Sequence, residues 1–145
     1  MNTRLIAIIG SVLLGLLLVR YMILSRQPAQ APASNVAPLV HLTNFDDALA
    51  KAKTDNKLLV VDAMATWCGP CKMMDRDSWS SPEVQSWMSQ NAVFAQIDVD
   101  EHADTAKKLS IEAMPTVILF KDGKETGRVV GYQNADELLR WLKSS

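Results

Sequence analysis

Residues 57–72 read KLLVVDAMATWCGPCK, and this stretch decides the fold. Its first half is a short apolar run that contains one carboxylate, Asp62, and such a run is typical of a strand buried on both faces. Trp67 then precedes two cysteines, Cys68 and Cys71, which are separated by glycine and proline. Because proline is favoured in the first turn of a helix, the pattern predicts a buried strand that leads through a cysteine-containing loop into a helix.

The spacing of the two cysteines favours redox chemistry. A thiolate, not a thiol, attacks a disulfide, and the first turn of a helix stabilises a thiolate through its unpaired N–H groups and its dipole. Cys68, at the exposed start of the helix, is therefore expected to be the attacking sulfur, and Cys71, one turn further in, the resolving sulfur. Pro70 fits the first turn, and Gly69 keeps the loop open to a partner.

Two other uses of such a cysteine pair are less well supported. A purely structural disulfide would close a very small loop and would stabilise the fold little. Half of a zinc site would need further ligands, but the two histidines of the chain, His41 and His102, lack ligand spacing to the cysteines. Neither a metal nor a cofactor is therefore expected.

The pattern on both sides of this stretch predicts alternating helices and strands, then a hairpin and a last helix. The predicted helices are Phe45–Lys53 (with Thr43 or Asn44 as N-cap), one after Cys68, one after Ser81-Pro82, Asp104–Leu109 and Asn134–Lys143. The predicted strands are Lys57–Ala63, Ala92–Val99, Thr116–Phe120 and Glu125–Val130. Asp122-Gly123 is a strong hairpin signal, and Asn134 with Glu137 forms a capping box. The expected fold is α/β, with a mixed central sheet flanked by helices.

Charge is distributed unevenly along the chain. All 16 acidic residues lie at or after Asp46, and residues 46–145 contain 12 basic residues, so this part carries a net charge of −4 against −1 for the whole chain. Nucleic-acid binding requires a basic patch, which a mildly acidic domain lacks. Nucleic acid is therefore not expected as a partner.

The first 26 residues predict a membrane anchor. Residues 5–24 contain no charge except Arg20, and a helix of that length reaches about 30 Å, enough to cross the hydrocarbon core of a bilayer. A cleaved signal peptide is the alternative, because Ala29-Gln30-Ala31 resembles a cleavage site, although Arg20 and Arg26 separate it from the apolar run. We therefore expect the protein to contact the membrane through residues 5–24.

The chain after the anchor divides at residue 38. Residues 27–38 read QPAQAPASNVAP, with three prolines and no charge, and predict a semi-extended linker between the anchor (1–26) and a domain (39–145). Arg4 precedes the uncharged run 5–19, and Arg20 and Arg26 follow it. Read literally, this charge balance places the domain in the cytoplasm, but the margin of one residue does not settle the orientation.

The domain resembles the thioredoxin family over nearly its whole length. WCGPCK at residues 67–72 matches the family's active-site motif without a change, and Asp62 matches its buried acid. Met114-Pro115-Thr116 matches its cis-proline loop, and Gly131 matches the glycine that flanks its substrate groove. The resemblance implies a thioredoxin fold and thiol–disulfide exchange with protein substrates.

The resemblance also implies roles for individual residues. The catalytic residues would be Cys68, Cys71 and Asp62, with Asp62 a desolvated acid of raised pKa that relays protons to and from Cys71. An exposed position at the sheet edge is the alternative for Asp62. Gln96 stands where many members of the family have a lysine near this acid. The groove that receives the substrate would consist of Trp67 as a lid, Gly69, Pro70, Met114, Pro115 and Gly131.

Two segments, 48–72 and 77–88, look most like the periplasmic C-terminal domain of the bacterial transmembrane disulfide reductase. This finer resemblance implies a reductant of protein disulfides with an upstream electron-donor protein, on the periplasmic side of a bacterial inner membrane. A domain that faces the cytoplasm or is secreted after cleavage is the alternative in location. An oxidase or isomerase, or a non-catalytic peptide-binding or chaperone-like module, is the alternative in function.

Overall fold

The computed structural model describes residues 15, 16, 18–21 and 41–144. The short N-terminal piece, residues 15, 16 and 18–21, is helical. Within the described ranges, no helix is both long enough and apolar enough to cross a membrane. Most of the predicted span 5–24 and all of the predicted linker 27–38 lie outside the described residues.

Residues 41–144 form a five-stranded sheet with helices on both faces. The elements, in chain order, are β1 (His41–Leu42), α1 (Phe45–Asp55), β2 (Leu58–Met64), α2 (Gly69–Met74), a π-helical turn (Asp75–Trp79), α3 (Pro82–Asn91), β3 (Ala92–Asp98), α4 (Ala103–Lys108), β4 (Thr116–Lys121), β5 (Lys124–Val130) and α5 (Ala135–Ser144). The strand order is β1-β3-β2-β4-β5. β3 runs parallel to β1 and β2, whereas β4 runs antiparallel to β2 and β5. The mixed sheet that the sequence predicts is confirmed.

The central strand β2 separates two hydrophobic cores. Leu59 and Val61 face the first core, which also contains Phe45 of α1. Val60 faces the second core, together with Met74 of α2 and other side chains of the π-helical turn, α3 and α5. Because successive side chains of a strand alternate between faces, Asp62 lies on the same face as Val60.

Local sequence signals explain where the helices and the hairpin begin. Asn44, one of the two predicted caps, accepts the Asp47 N–H at 3.0 Å. The capping box is confirmed, since Asn134 accepts the Glu137 N–H at 3.0 Å and Glu137 accepts the Asn134 N–H at 3.2 Å. Asp122 and Gly123 both have positive φ, at 53° and 83°, as the predicted tight hairpin requires.

Three local features differ from the expectations. Ser81 stands at the N-cap of α3, but its hydroxyl donates to the Glu83 carboxylate instead of capping the helix. β1 has only two residues, too few for any periodic pattern. The helix after Cys68 changes to π-helical geometry at Asp75–Trp79, a rare form that is frequent at functional sites.

Candidate active site

Cys68 and Cys71 form a disulfide at the start of α2, with their Cα atoms 5.3 Å apart. Cys68 is the N-cap of α2 and has extended backbone angles, and its Sγ accepts the Cys71 N–H at 3.2 Å. An N–H group at a helix N-terminus favours negative charge on the sulfur that accepts its hydrogen bond. The local geometry therefore gives the two sulfurs different environments, with the N–H donor directed at Cys68.

The two cysteines differ less in exposure than the sequence suggests. Cys68 is 5% exposed and Cys71 is 2% exposed, so both are buried, in a small cluster with Ala65. Met64, Val99 and Met114 pack against this cluster. The expected contrast between an exposed and a shielded sulfur is therefore weak, because apolar side chains from β2 and two loops surround both residues.

Trp67 lies next to Cys68 and is 65% exposed. Its indole N–H donates to Asp100 Oδ2 at 2.7 Å. The loop that holds Asp100 is fixed in turn, since the Asp100 N–H donates to Asp98 Oδ1 at 2.9 Å. Sequence reasoning missed Asp100. The available signal was its position just beyond the carboxyl end of β3, which is parallel to β2 and ends at the same sheet edge.

The loop before β4 and the end of β5 lie beside each other. The Met114-Pro115 peptide bond is cis, as the resemblance implies, and Met114 packs against the cysteine cluster. The Gly131 N–H donates to the Pro115 carbonyl at 2.8 Å, and its φ of +91° is one that glycine adopts readily. Next to it Val130 is 55% exposed. At Gly69 an added Cβ would meet nothing within 4 Å, so the cysteine loop faces open space.

Asp62 is buried in the central strand, with 2% of its surface exposed. The alternative of a solvent-facing residue at the sheet edge is therefore wrong. Burial raises the pKa of Asp62 from 3.8 to about 7, opposed first by a hydrogen bond from Gln96 Nε2 at 3.2 Å. The negative charge of Asp75 raises this pKa further, and the nearby Trp79 indole lowers it. At neutral pH the carboxyl can therefore both take up and release a proton.

The buried polar atoms around Asp62 are not all paired. Asp62 Oδ1 and Trp79 Nε1 have no hydrogen-bond partner of ordinary geometry among the described residues. Asp75 Oδ1, by contrast, accepts the Gln96 amide at 2.9 Å. Sequence reasoning assigned Gln96 to this site but not Asp75, because the π-helical turn that directs Asp75 inward leaves no recognisable pattern in the sequence.

The described residues hold no group of three side chains suited to a metal ion. The structure brings Met114 against the two cysteines and joins Gly131 to Pro115, and it places Asp62 in β2, the strand that leads into the cysteine loop. The roles of these residues stay predictions. The arrangement, a dithiol–disulfide pair beside an exposed loop and a buried carboxyl, is suited to thiol–disulfide exchange.

Comparison with known proteins agrees with the fold and the site. The thioredoxin family profile matches residues 36–144. Thioredoxin-2 of Saccharomyces cerevisiae is 44% identical over 98 residues, which cover 66% of this chain and 86% of that protein. The thioredoxin of Chlamydia caviae is 35% identical over 106 residues, covering 72% and 93%. The chain belongs to the thioredoxin family and is a thiol–disulfide oxidoreductase.

Solved structures lead to the same family. A thioredoxin h from poplar has a TM-score of 0.63 and 29% identity, with 74% of this chain and 96% of that one covered. A yeast chain solved in a study of thiol resolution in a mitochondrial 1-Cys peroxiredoxin has a TM-score of 0.56 and 36% identity, with 74% and 95% covered. These relatives give no support to the finer resemblance to a transmembrane reductase, which stays a proposal.

Proposed function

We propose that the protein reduces disulfides in other proteins in two exchange steps. The Cys68 thiolate attacks a substrate disulfide, whose S–S bond breaks as the mixed disulfide forms, and one substrate sulfur leaves as a thiolate. The Cys71 thiolate then attacks Cys68 Sγ, and the second substrate sulfur leaves. The substrate gains two electrons and two protons overall, and the protein ends as the Cys68–Cys71 disulfide. A donor protein with a reduced dithiol restores the starting state.

One observation carries this assignment of roles: Cys68 Sγ accepts the Cys71 N–H at the start of α2. This N–H donor favours negative charge on Cys68, which is the attacking thiolate of the first step. We assign Asp62 as the proton acceptor for Cys71 in the second step, because it lies in the strand that leads into the cysteine loop and because a carboxyl with a pKa of about 7 exchanges protons readily at neutral pH.

The substrate class follows from the surface around the cysteines. Trp67 and Val130 are exposed, Met114 packs against the cysteine cluster, and a hydrogen bond from Gly131 to Pro115 joins the end of β5 to the Met114-Pro115 loop. An extended polypeptide can pair with the backbone of the Met114-Pro115 loop while its side chains contact the exposed apolar groups. We therefore favour a disulfide in an extended segment of a protein client. The similar yeast structure comes from a study of thiol resolution in a peroxiredoxin by glutathione and thioredoxin systems, which supports a protein as the client.

Selective alkylation tests the assignment of the attacking sulfur. With brief iodoacetamide treatment of the reduced protein near pH 7, Cys68 should react faster than Cys71 by roughly tenfold, the effect of a larger thiolate fraction. Since the two residues are similarly buried, simple access does not predict this preference. Cys71→Ser should keep the fast reaction, whereas Cys68→Ser should lose it. Faster labelling of Cys71 would reverse the assignment.

The finer resemblance and the predicted anchor support a location at the membrane. We infer that residues 5–24 hold the chain in a bacterial inner membrane, that residues 27–38 are a spacer and that the domain (39–145) faces the periplasm. The proposed anchor is supported by 20 residues that contain only one charge. The proposed periplasmic location of the domain is supported by the finer resemblance. The donor would then be a protein that delivers electrons across or along that membrane.

Fractionation and surface labelling test the location. The full 16.0 kDa chain should remain with membranes after a carbonate wash and leave them with detergent. A membrane-impermeant thiol reagent should label the reduced cysteines in spheroplasts, with the Cys68→Ser, Cys71→Ser double variant as the unlabelled control. A soluble chain that begins near Pro32 would replace the anchor by a signal peptide, and labelling only after lysis would place the domain in the cytoplasm.

A further inference from the structure

The side-chain amide of Gln96 lies between two carboxylates and a histidine. Its Nε2 donates to Asp62 Oδ2 at 3.2 Å and to Asp75 Oδ1 at 2.9 Å, and its Oε1 lies 3.3 Å from Nδ1 of His41. Four elements meet there: β3 supplies Gln96, β2 Asp62, the π-helical turn Asp75 and β1 His41. Both N–H groups and the carbonyl oxygen of the amide are therefore engaged.

The two carboxylates determine how this amide is oriented. A carboxylate only accepts hydrogen bonds, so the NH₂ group of Gln96 has to face Asp62 and Asp75. The amide oxygen then faces His41, and since that oxygen only accepts, the hydrogen bond between them requires the tautomer of His41 with a proton on Nδ1. The imidazole ring is held further by an edge contact with Phe94, with ring centroids 4.9 Å apart.

We propose that His41 is a positioning residue for Asp62, which it serves by fixing the Gln96 amide so that one N–H points at the Asp62 carboxylate. The proposal rests on the proposed role of Asp62 as proton acceptor for Cys71. Leu42 of β1 packs against the first core, whereas the neighbouring His41 is exposed and is absent from both cores. The contribution of His41 would therefore be to the site, from the far side of Gln96.

The surroundings of Asp62 explain why this one N–H matters. Among the described groups that contact it, the Gln96 amide is the main group that favours its charged form, against burial and the negative charge of Asp75. From β4 its register partner is the apolar Val117, and from the π-helical turn Trp79 adds only a neutral indole. If the amide turned toward Asp75 alone, the charged form of Asp62 would lose its main support, and the pKa of Asp62 would rise.

The experiment measures the titration of Asp62 directly. The full chain, kept soluble in a mild detergent and oxidised, carries a ¹³C label in its aspartate carboxyls, and the Asp62 signal is followed by NMR across pH 5 to 9. Gln96→Met keeps the length of the side chain without the amide. His41→Phe keeps the ring edge against Phe94 without Nδ1. His102→Phe, at the only other histidine, is the matched control.

We expect the midpoint of the Asp62 titration to shift to higher pH, by different amounts in the different variants. Gln96→Met should raise it by roughly one pH unit, the effect of losing a hydrogen bond to a charged group, and His41→Phe by a smaller amount. The His41→Phe, Gln96→Met double variant should match Gln96→Met alone, because His41 acts through the amide. His102→Phe should leave the midpoint unchanged.

Two results would overturn the proposal. An unchanged midpoint of the Asp62 titration in His41→Phe would remove His41 from the site. An equal effect of His41→Phe in the parent and in Gln96→Met would show that His41 acts on Asp62 directly through space and not through the amide. Stopped-flow measurement of the Cys71 step in Asp62→Asn tests the proposed function separately. If that step were unaffected, Asp62 would lose its catalytic role, whereas the NMR midpoints would still decide whether His41 positions it.

Discussion

Replacing Asp62 by asparagine should stabilise the oxidised protein by roughly 4 kcal/mol at pH 8 and hardly at all below pH 4. The pKa of Asp62 is about 7 in the folded protein, whereas an unfolded aspartate has a pKa of 3.8. The unfolded chain therefore releases this proton first, and folding stability falls as pH rises from about 4 to about 7, then levels off. Three pH units at ~1.4 kcal/mol each give the expected size.

Urea denaturation of the parent and the variant at pH 5 and pH 8 measures the effect. Between pH 5 and pH 8 the free energy of unfolding of the parent should fall by roughly 3 kcal/mol more than that of Asp62→Asn. The comparison of the two proteins cancels the contributions of the other titrating groups. Asp104→Asn, at an exposed aspartate in the first turn of α4, is the matched control and should change stability by less than about 1 kcal/mol at either pH. Parallel pH profiles for parent and Asp62→Asn would contradict the raised pKa.

Replacing Cys68 by serine should reduce the rate of insulin disulfide reduction on the order of a thousandfold or more, because a hydroxyl cannot replace a thiolate as nucleophile. Cys71→Ser should lose turnover to a similar extent but for a different reason. It can still carry out the first exchange, and then has no sulfur to resolve the product. Mixed disulfides should therefore accumulate in Cys71→Ser and be absent in Cys68→Ser.

Non-reducing gels and intact-mass spectrometry distinguish these outcomes. The double variant Cys68→Ser, Cys71→Ser serves as the background for both. Retention of reductase activity by both single variants would contradict the exchange mechanism and favour a peptide-binding module. Adducts on Cys71 instead of Cys68 would keep the chemistry but exchange the roles of the two sulfurs.

Much of the fold can be predicted from short stretches of the sequence. The run before the cysteines predicts β2 to within one residue, and Asp122-Gly123 and the Asn134–Glu137 box define the hairpin and the last helix. These signals succeed because each depends on backbone preferences within a few residues. The assembled site depends on contacts between distant residues, such as Trp67 with Asp100 and Gln96 with Asp75, for which no local pattern exists.

The burial of Cys68 could not be predicted either, because it also depends on contacts between distant residues. Its position at a helix start is visible in the sequence, but its low exposure results from side chains of other elements, including Val99 and Met114. The sequence does not predict β1, for a related reason. A two-residue strand exists only because β3 offers backbone partners, with His41 opposite Phe94 and Leu42 opposite Ala95.

The outer strand β5 limits self-association of the domain. A free strand edge is a template for uncontrolled pairing with other chains, and charged side chains discourage such pairing. β5 carries Lys124, Glu125 and Arg128, and Arg128 is paired with Glu125 and held to the Leu109 carbonyl at 2.8 Å. Only its last residue, Val130, presents a large exposed apolar side chain. The proposed pairing with an extended client segment would therefore be confined to the end of β5 near Val130, because the charged side chains discourage pairing along the rest of that edge.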